Sequence, residues 1–184
     1  MYTPAITGSG IFTPTQVITN AELVKSFNAY ADLYNTQHAK QIEAGELPAK
    51  EHSSEEFIVK ASGIEQRYVV DKTGILDPEV MHPLLRQRSD DEPSLMAEMA
   101  LDAARKALAD AGKTAADVDA VICAASNLER AYPAVAIEIQ DLLGIDGFAF
   151  DMNVACSSAT FGIQAAADMV RSGSIRSALV VNPE

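Results

Sequence analysis

The sequence predicts an α/β fold: a mostly parallel sheet covered by helices, with a polar, α-rich insertion. Three observations carry that expectation. From residue 93 onward, helical stretches alternate with short apolar runs, the pattern of βαβ units and a largely parallel sheet. The apolar runs are unbroken rather than alternating, as expected of strands covered on both faces. Each of these helical stretches runs into a glycine, at Gly112, Gly144 and Gly173.

Taken in order, residues 4–13 (PAITGSGIFT) read as a short strand whose glycines permit close backbone packing. Asn20 is placed to cap a short helix through AELVKSF, and SSEEFIVKASG reads as another ending at Gly63. Between them, NAYADLYNTQHAKQIEAGELPAKEH is mostly polar and reads as a surface insertion. PLLRQRSDDEP is a second polar stretch before the regular part. Pro93 suits the first position of a helix, LMAEMALDAARKALADAG, with Leu95, Met99, Ala103 and Leu108 near one face. VDAVICAA reads as a buried strand. A second helix opens at Pro133 and stops at Gly144, and FAFDMNVA is the next strand. SSATFGIQAAADMVRSG is the third helix, and SALVVN the last strand, which reads as central. The small residues Ala159, Ala165, Ala166 and Ala167 predict a helix packed close to its neighbours, in the middle layer of a larger fold. A central strand so near the last residue predicts that residues 1–184 are one domain of a longer protein, with an insertion at about 28–92.

The 184 residues are 48% apolar and 22% charged, enough for one domain with a real core. A formal net charge of −12 argues against nucleic acid or an anionic membrane as the main partner. The same acidity opposes an acidic carrier protein unless a local basic patch offsets it. No apolar run approaches the ~18 residues that a membrane span needs. The opening MYTPAITGSG lacks the basic and apolar regions of a secretion signal, so the expected address is cytoplasmic. Cys123 and Cys156 are expected as free thiols. His38, His52 and His82 are too scattered to predict a metal site.

Cys156 lies at a strand-to-helix junction, DMNVA followed by Cys and then SSATFG. A thiol at the start of a buried helix faces unpaired N–H groups and the positive end of the helix dipole, which favour the nucleophilic thiolate. Ligands bind at the carboxyl ends of such parallel strands. The competing reading is a buried structural cysteine, and that reading takes Cys123, which sits mid-strand. No histidine neighbours Cys156 in the sequence, so a cysteine protease or amidase is not favoured. On the residues alone, Phe57 reads as the core anchor of a short helix, Tyr132 as a loop aromatic, and Glu129 with Arg130 as a solvated pair.

FAFDMNVACSSATFGIQAAADMVRSGSIRSALVVNPE resembles the nucleophile segment of the β-ketoacyl-acyl-carrier-protein synthase III family, in the thiolase superfamily. There an Asp-containing strand runs into Ala-Cys, small residues, an aromatic and Gly, then an Ala-rich helix and a strand. AYPAVAIEIQDLLGI is similar to the family's interface helix and VDAVICAASN to the strand before it. SGIFTPTQVITNAEL is similar to its opening strand, and SSEEFIVKASGIEQRYVV to its substrate-access segment. The resemblance covers residues 5–27 and 53–184 approximately. It implies the thiolase-like N-terminal half of a homodimeric enzyme that uses acyl-CoA and malonyl-acyl carrier protein and no cofactor.

In that family the matching cysteine, Cys156 here, accepts an acyl group, which then condenses with malonyl-acyl carrier protein in fatty acid biosynthesis. Tyr132 matches an aromatic that closes the acyl pocket of the partner copy. Phe57 stands where a Trp stacks on the adenine of coenzyme A, with Ser53 in place of a neighbouring Thr. Ala61 stands where an Arg serves the nucleotide. The His and Asn that stabilise the enolate belong to the C-terminal half, so the chain alone is expected to be inactive. Alternatives are another thiolase-fold acyltransferase or synthase (quinolone- or alkene-forming) and a non-catalytic subunit.

Overall fold

A computed structural model describes residues 2–184. The chain forms two units, one made of the segment through Phe12 with Arg88–Glu184, the other of Thr13–Gln87. The second unit holds β1 (Gln16–Thr19), α1 (Asn20–Gln37), α2 (Ala39–Glu43), α3 (Glu55–Ser62), β2 (Gln66–Val69) and α4 (Thr73–Leu76). The first holds α5 (Leu95–Asp110), β3 (Ala120–Ala124), α6 (Val135–Leu143), β4 (Phe148–Met152), α7 (Ser158–Ser172) and β5 (Ala178–Val181).

In the first unit the strand order is β4-β3-β5, with both pairings parallel. β3 is buried along its whole length. The strand SALVVN, expected at the centre, is instead an edge of the described sheet. Both strands are equally apolar, but only β3 has a hydrogen-bonded neighbour on each side. The core joins Val121, Cys123, Leu179 and Val181 of the sheet to Val135, Ala136 and Ile139 of α6.

α5 adds Met96, Ala97, Ala100 and Ala104 to that core. Of the expected stripe of Leu95, Met99, Ala103 and Leu108, only Leu108 is packed against this core. Alanines occur all round this helix, so composition did not single out one face. Ser94 caps α5, accepting from Ala97 N at 3.1 Å, and Pro93 precedes the cap rather than opening the helix. Residues 4–13 form no strand. Gly8 and Gly10 do pack closely, but on a helix: a Cβ at Gly10 would strike the α5 backbone at Ala103 and Ala107, and one at Gly8 would strike it at Ala107 and at Ala111, which caps the helix end. Ser9 N donates to Asp110 Oδ2 at 2.9 Å and Lys106 Nζ to the Ile11 carbonyl at 3.0 Å, fixing the segment there.

In the second unit β1 and β2 pair antiparallel. Thr19, not Asn20, caps α1: its hydroxyl accepts from Glu22 N at 3.3 Å, and the Glu22 carboxylate accepts from Thr19 N at 2.9 Å. Asn20 turns elsewhere, donating to the Ile64 carbonyl and accepting from Arg67. α1 runs on through the stretch expected as polar surface. Tyr30, Tyr34 and His38 are spaced four apart and interact ring to ring, and Lys50 Nζ lies 4.5 Å from the Tyr34 ring centre. α3 matches expectation, with Ser54 as its cap and Gly63 ending it at φ 69°. No helix among the described residues is long and apolar enough to cross a membrane.

Candidate active site

β4 ends at Met152 and α7 begins at Ser158, and the turn between them carries Cys156. Ala155 adopts φ 50°, a left-handed conformation that costs a non-glycine residue about 1–2 kcal/mol. Side chains on either side hold it there. Ser158, 3% exposed, accepts from Val154 N at 2.8 Å and donates to the Ala155 carbonyl at 2.7 Å. Asn153 Oδ1 accepts from Ala155 N at 3.0 Å, while its Nδ2 donates to the Ser126 carbonyl at 2.9 Å. The forced turn throws Cys156 outward, and its residue is exposed and free of any disulfide.

The carboxyl ends of all three strands are tied together beneath this turn. Asn153 links the end of β4 to Ser126 after β3. Asn182 Nδ2 donates to the Ala124 carbonyl at 2.6 Å, linking β5 to β3. The Glu184 carboxylate accepts from Ser126 N and from Asn127 N, and the Ser126 contact is the main cause of its lowered pKa. Cys156 therefore stands on a braced platform at the end of the sheet where ligands bind in parallel folds.

α7 itself departs from expectation. Only Ser158 and Gly162 are buried on it, so Cys156 does not head a buried helix in this chain. Gly162 approaches the sheet closely, since a Cβ there would meet Ala124 and Val180, while Ala159, Ala165, Ala166 and Ala167 are half-buried. Cys123, wholly buried on β3, has its thiol pushed up to about 12 by burial, reinforced by Asp151, Glu184 and Glu138.

The loop from 126 to 134 follows β3. Tyr132 is 93% exposed on it. α6 starts at Val135, two residues after the expected Pro133, because its cap comes from another strand. Asp151 on β4 accepts from Val135 N at 2.9 Å and Ala136 N at 2.8 Å. Glu129 is exposed as expected, but Arg130 is half-buried and neither bonds the other. Glu129 accepts from Met96 N at 3.1 Å, and Arg130 bonds Glu138 at 3.0 Å.

Phe57 and Ser53 belong to the other unit. Phe57 is 65% exposed on α3, which removes the core-anchor reading. Ser53 N donates to Asn28 Oδ1 at 2.8 Å, and Asn28 Nδ2 returns a bond to the Ser53 carbonyl at 3.1 Å. Sequence reasoning gave no structural role to Asn153, Ser158, Asp151 or Glu138. The one available signal was the polar pair flanking Cys156, Asn153 and Ser158, in an otherwise small and apolar stretch.

Residues 150–184 match the sequence model of the family described as 3-oxoacyl-[acyl-carrier-protein] synthase III. The chain is 58% identical over 161 residues to the β-ketodecanoyl-[acyl-carrier-protein] synthase of Pseudomonas aeruginosa, covering 88% of this chain and 46% of that one. It is 33% identical over 180 residues to β-ketoacyl-[acyl-carrier-protein] synthase III of Granulibacter bethesdensis, covering 97% and 42%. The chain belongs to the β-ketoacyl-acyl-carrier-protein synthase III family. This synthase III chain spans under half the length of those curated relatives.

Solved structures agree on the fold of the synthase III chain. The 3-oxoacyl-[acyl-carrier-protein] synthase III of Aquifex aeolicus superposes with a TM-score of 0.68 at 22% identity, over 96% of this chain and 43% of that one. An OleA variant of Xanthomonas campestris gives 0.69 at 21% identity, over 98% and 43%. At such identities the likeness shows the thiolase-like fold alone.

Proposed function

We propose that this chain carries the acyl-accepting step of a 3-oxoacyl-acyl-carrier-protein synthase III-type condensing enzyme of fatty acid biosynthesis. The observation behind it is Cys156, an exposed thiol on a strained, braced turn at the carboxyl ends of three parallel strands. In this reading the 184 residues act as one thiolase-fold domain with an insertion at about 28–92.

In the first step the Cys156 sulfur attacks the carbonyl carbon of an acyl thioester. The donor's acyl–S bond breaks, a new one forms at Cys156, and the thiol proton passes to the departing thiolate. In the second, malonyl-acyl carrier protein loses carbon dioxide and the resulting carbanion attacks the acyl-Cys156 carbonyl. The Cys156 sulfur leaves, and a 3-oxoacyl-acyl carrier protein two carbons longer than the acyl group remains. No residue of this chain is assigned to stabilising the enolate.

The name of the Pseudomonas relative specifies a ten-carbon 3-oxoacyl product. Removing the two carbons that malonyl contributes leaves eight, so octanoyl thioester is the donor we assign. Tyr132, exposed at the end of its loop, closes the acyl pocket of a second copy in a homodimer. Phe57 offers its exposed face to the adenine of coenzyme A, with Ser53 nearby in sequence.

Incubation with octanoyl-CoA followed by intact-mass measurement tests this reading. The wild-type protein gains one octanoyl group and releases one coenzyme A. Cys156→Ser gains none, because a hydroxyl is a far weaker nucleophile without an adjacent base. An adduct forming on Cys156→Ser at the wild-type rate would overturn the assignment.

A further inference from the structure

We infer that Glu138 is a positioning residue for the acyl pocket, its carboxylate locking the loop that presents Tyr132. This rests on the proposed role of Tyr132 and extends it to the residues that hold the aromatic in place. The Glu138 side chain is only 8% exposed. A carboxylate at that depth is tolerated when charge and hydrogen bonds match its oxygens. Here both oxygens are matched. Oε1 accepts from Arg130 Nη1 at 3.0 Å and from Ser94 N at 3.0 Å, and Oε2 accepts from Ser94 Oγ at 2.6 Å. Ser94 is fully buried and caps α5. Arg130 reaches on to the Ser89 carbonyl with Nη2 at 3.0 Å. One carboxylate on α6 thus joins the start of α5 to the loop, two residues before Tyr132.

Earlier residues of the loop are held as well. Glu129 N donates to Met96 Sδ at 3.1 Å, its carboxylate accepts from Met96 N, and Glu184 accepts from Ser126 N and Asn127 N. Of the loop's large apolar side chains, Tyr132 is the one left bare, at 93% exposure. An exposed aromatic on an immobilised base is a preorganised anchor, since little freedom remains to be lost when a second copy receives it. Loosening the base should therefore blur the pocket wall that Tyr132 forms.

The test uses the enzyme at the full length of its relatives. Glu138→Gln, Arg130→Met and their double variant are compared with Tyr132→Ala. Gln keeps an acceptor for Ser94 but drops the charge that holds Arg130. The readout is the ratio of second-order rate constants for Cys156 acylation by octanoyl-CoA and by acetyl-CoA, with Tm measured alongside. Each single variant should shift that ratio roughly tenfold, in the direction set by Tyr132→Ala. The double variant should shift it no further than the larger single one. If Tyr132→Ala moves the ratio while Glu138→Gln and Arg130→Met only lower Tm, the inference is overturned and the reading of Tyr132 stands. If Tyr132→Ala leaves the ratio unmoved, that reading fails and the inference fails with it.

Discussion

Cys123 is wholly buried on β3, and desolvation lifts its thiol from the usual 9.0 to about 12. Cys156 is exposed at a turn that faces outward. A thiolate reacts and a thiol does not, so the buried sulfur is inert near neutral pH for reasons of both access and ionisation. Iodoacetamide should consume one thiol in the native protein, mapped to Cys156 by peptide mass, and the second only in denaturant. Two fast native thiols would mean that β3 is not the sealed centre of the sheet. The raised Cys123 pKa also has a pH consequence. Its contribution to stability is complete below pH 9.0, the unfolded value, and is lost as pH rises from there through about 12.

α6 begins without a cap of its own, since Ala134 makes no side-chain bond, and Asp151 supplies one from across the sheet. Asp151→Ala should destabilise the protein by about 1–2 kcal/mol, as loss of a cap does, measured by urea unfolding. A change under a few tenths would mean that water replaces the carboxylate at the helix end. At α1, Lys72 and then Thr19 lower the Glu22 pKa from the usual 4.5 to about 2. Because the folded value is the lower one, the capping box is at full strength above 4.5 and lost as pH falls towards 2. The amide of Thr19, followed by NMR, should report that change with a midpoint near 2 rather than 4.5. Helix ends were legible in the sequence because a left-handed residue calls for glycine, as at Gly63, Gly144 and Gly173. Helix starts were less so. The cap of α1 lay one residue from the one expected, α5 opened two residues after Pro93, and the cap of α6 came from sixteen residues away.

At the scale of the molecule, alternation and unbroken apolar runs were enough to read a parallel sheet and to place Cys156 at its carboxyl end. Which strand is central was not legible, since AVICA and ALVV are equally apolar. The bracing of the site was not legible either. Asn153 acts on Ser126, twenty-seven residues away, and nothing local marks that pairing. The same bracing bears on what the 184-residue chain can do alone. Both ends of the Asn153 amide are committed, Oδ1 to the turn and Nδ2 to Ser126, so the amide nearest Cys156 in sequence is not free to steady an enolate. Donors of that kind contribute about 3–4 kcal/mol each to a developing oxyanion. The chain by itself should take up an octanoyl group at Cys156, yet decarboxylate malonyl-acyl carrier protein no faster than its Cys156→Ser variant. Turnover at the rate of a full-length relative would show that these residues hold the missing donors. The surface of this unit adds a second expectation. Phe161 and Ile163 on α7 are 51% and 46% exposed, and Ile137 and Leu142 on α6 are 39% and 36% exposed. Large bare apolar side chains on two helices of one unit favour self-association. Light scattering should therefore find dimers or larger species at micromolar concentration, and Phe161→Glu should reduce them. A wild-type chain that stays monomeric through that range would show that neither helix offers an adhesive face.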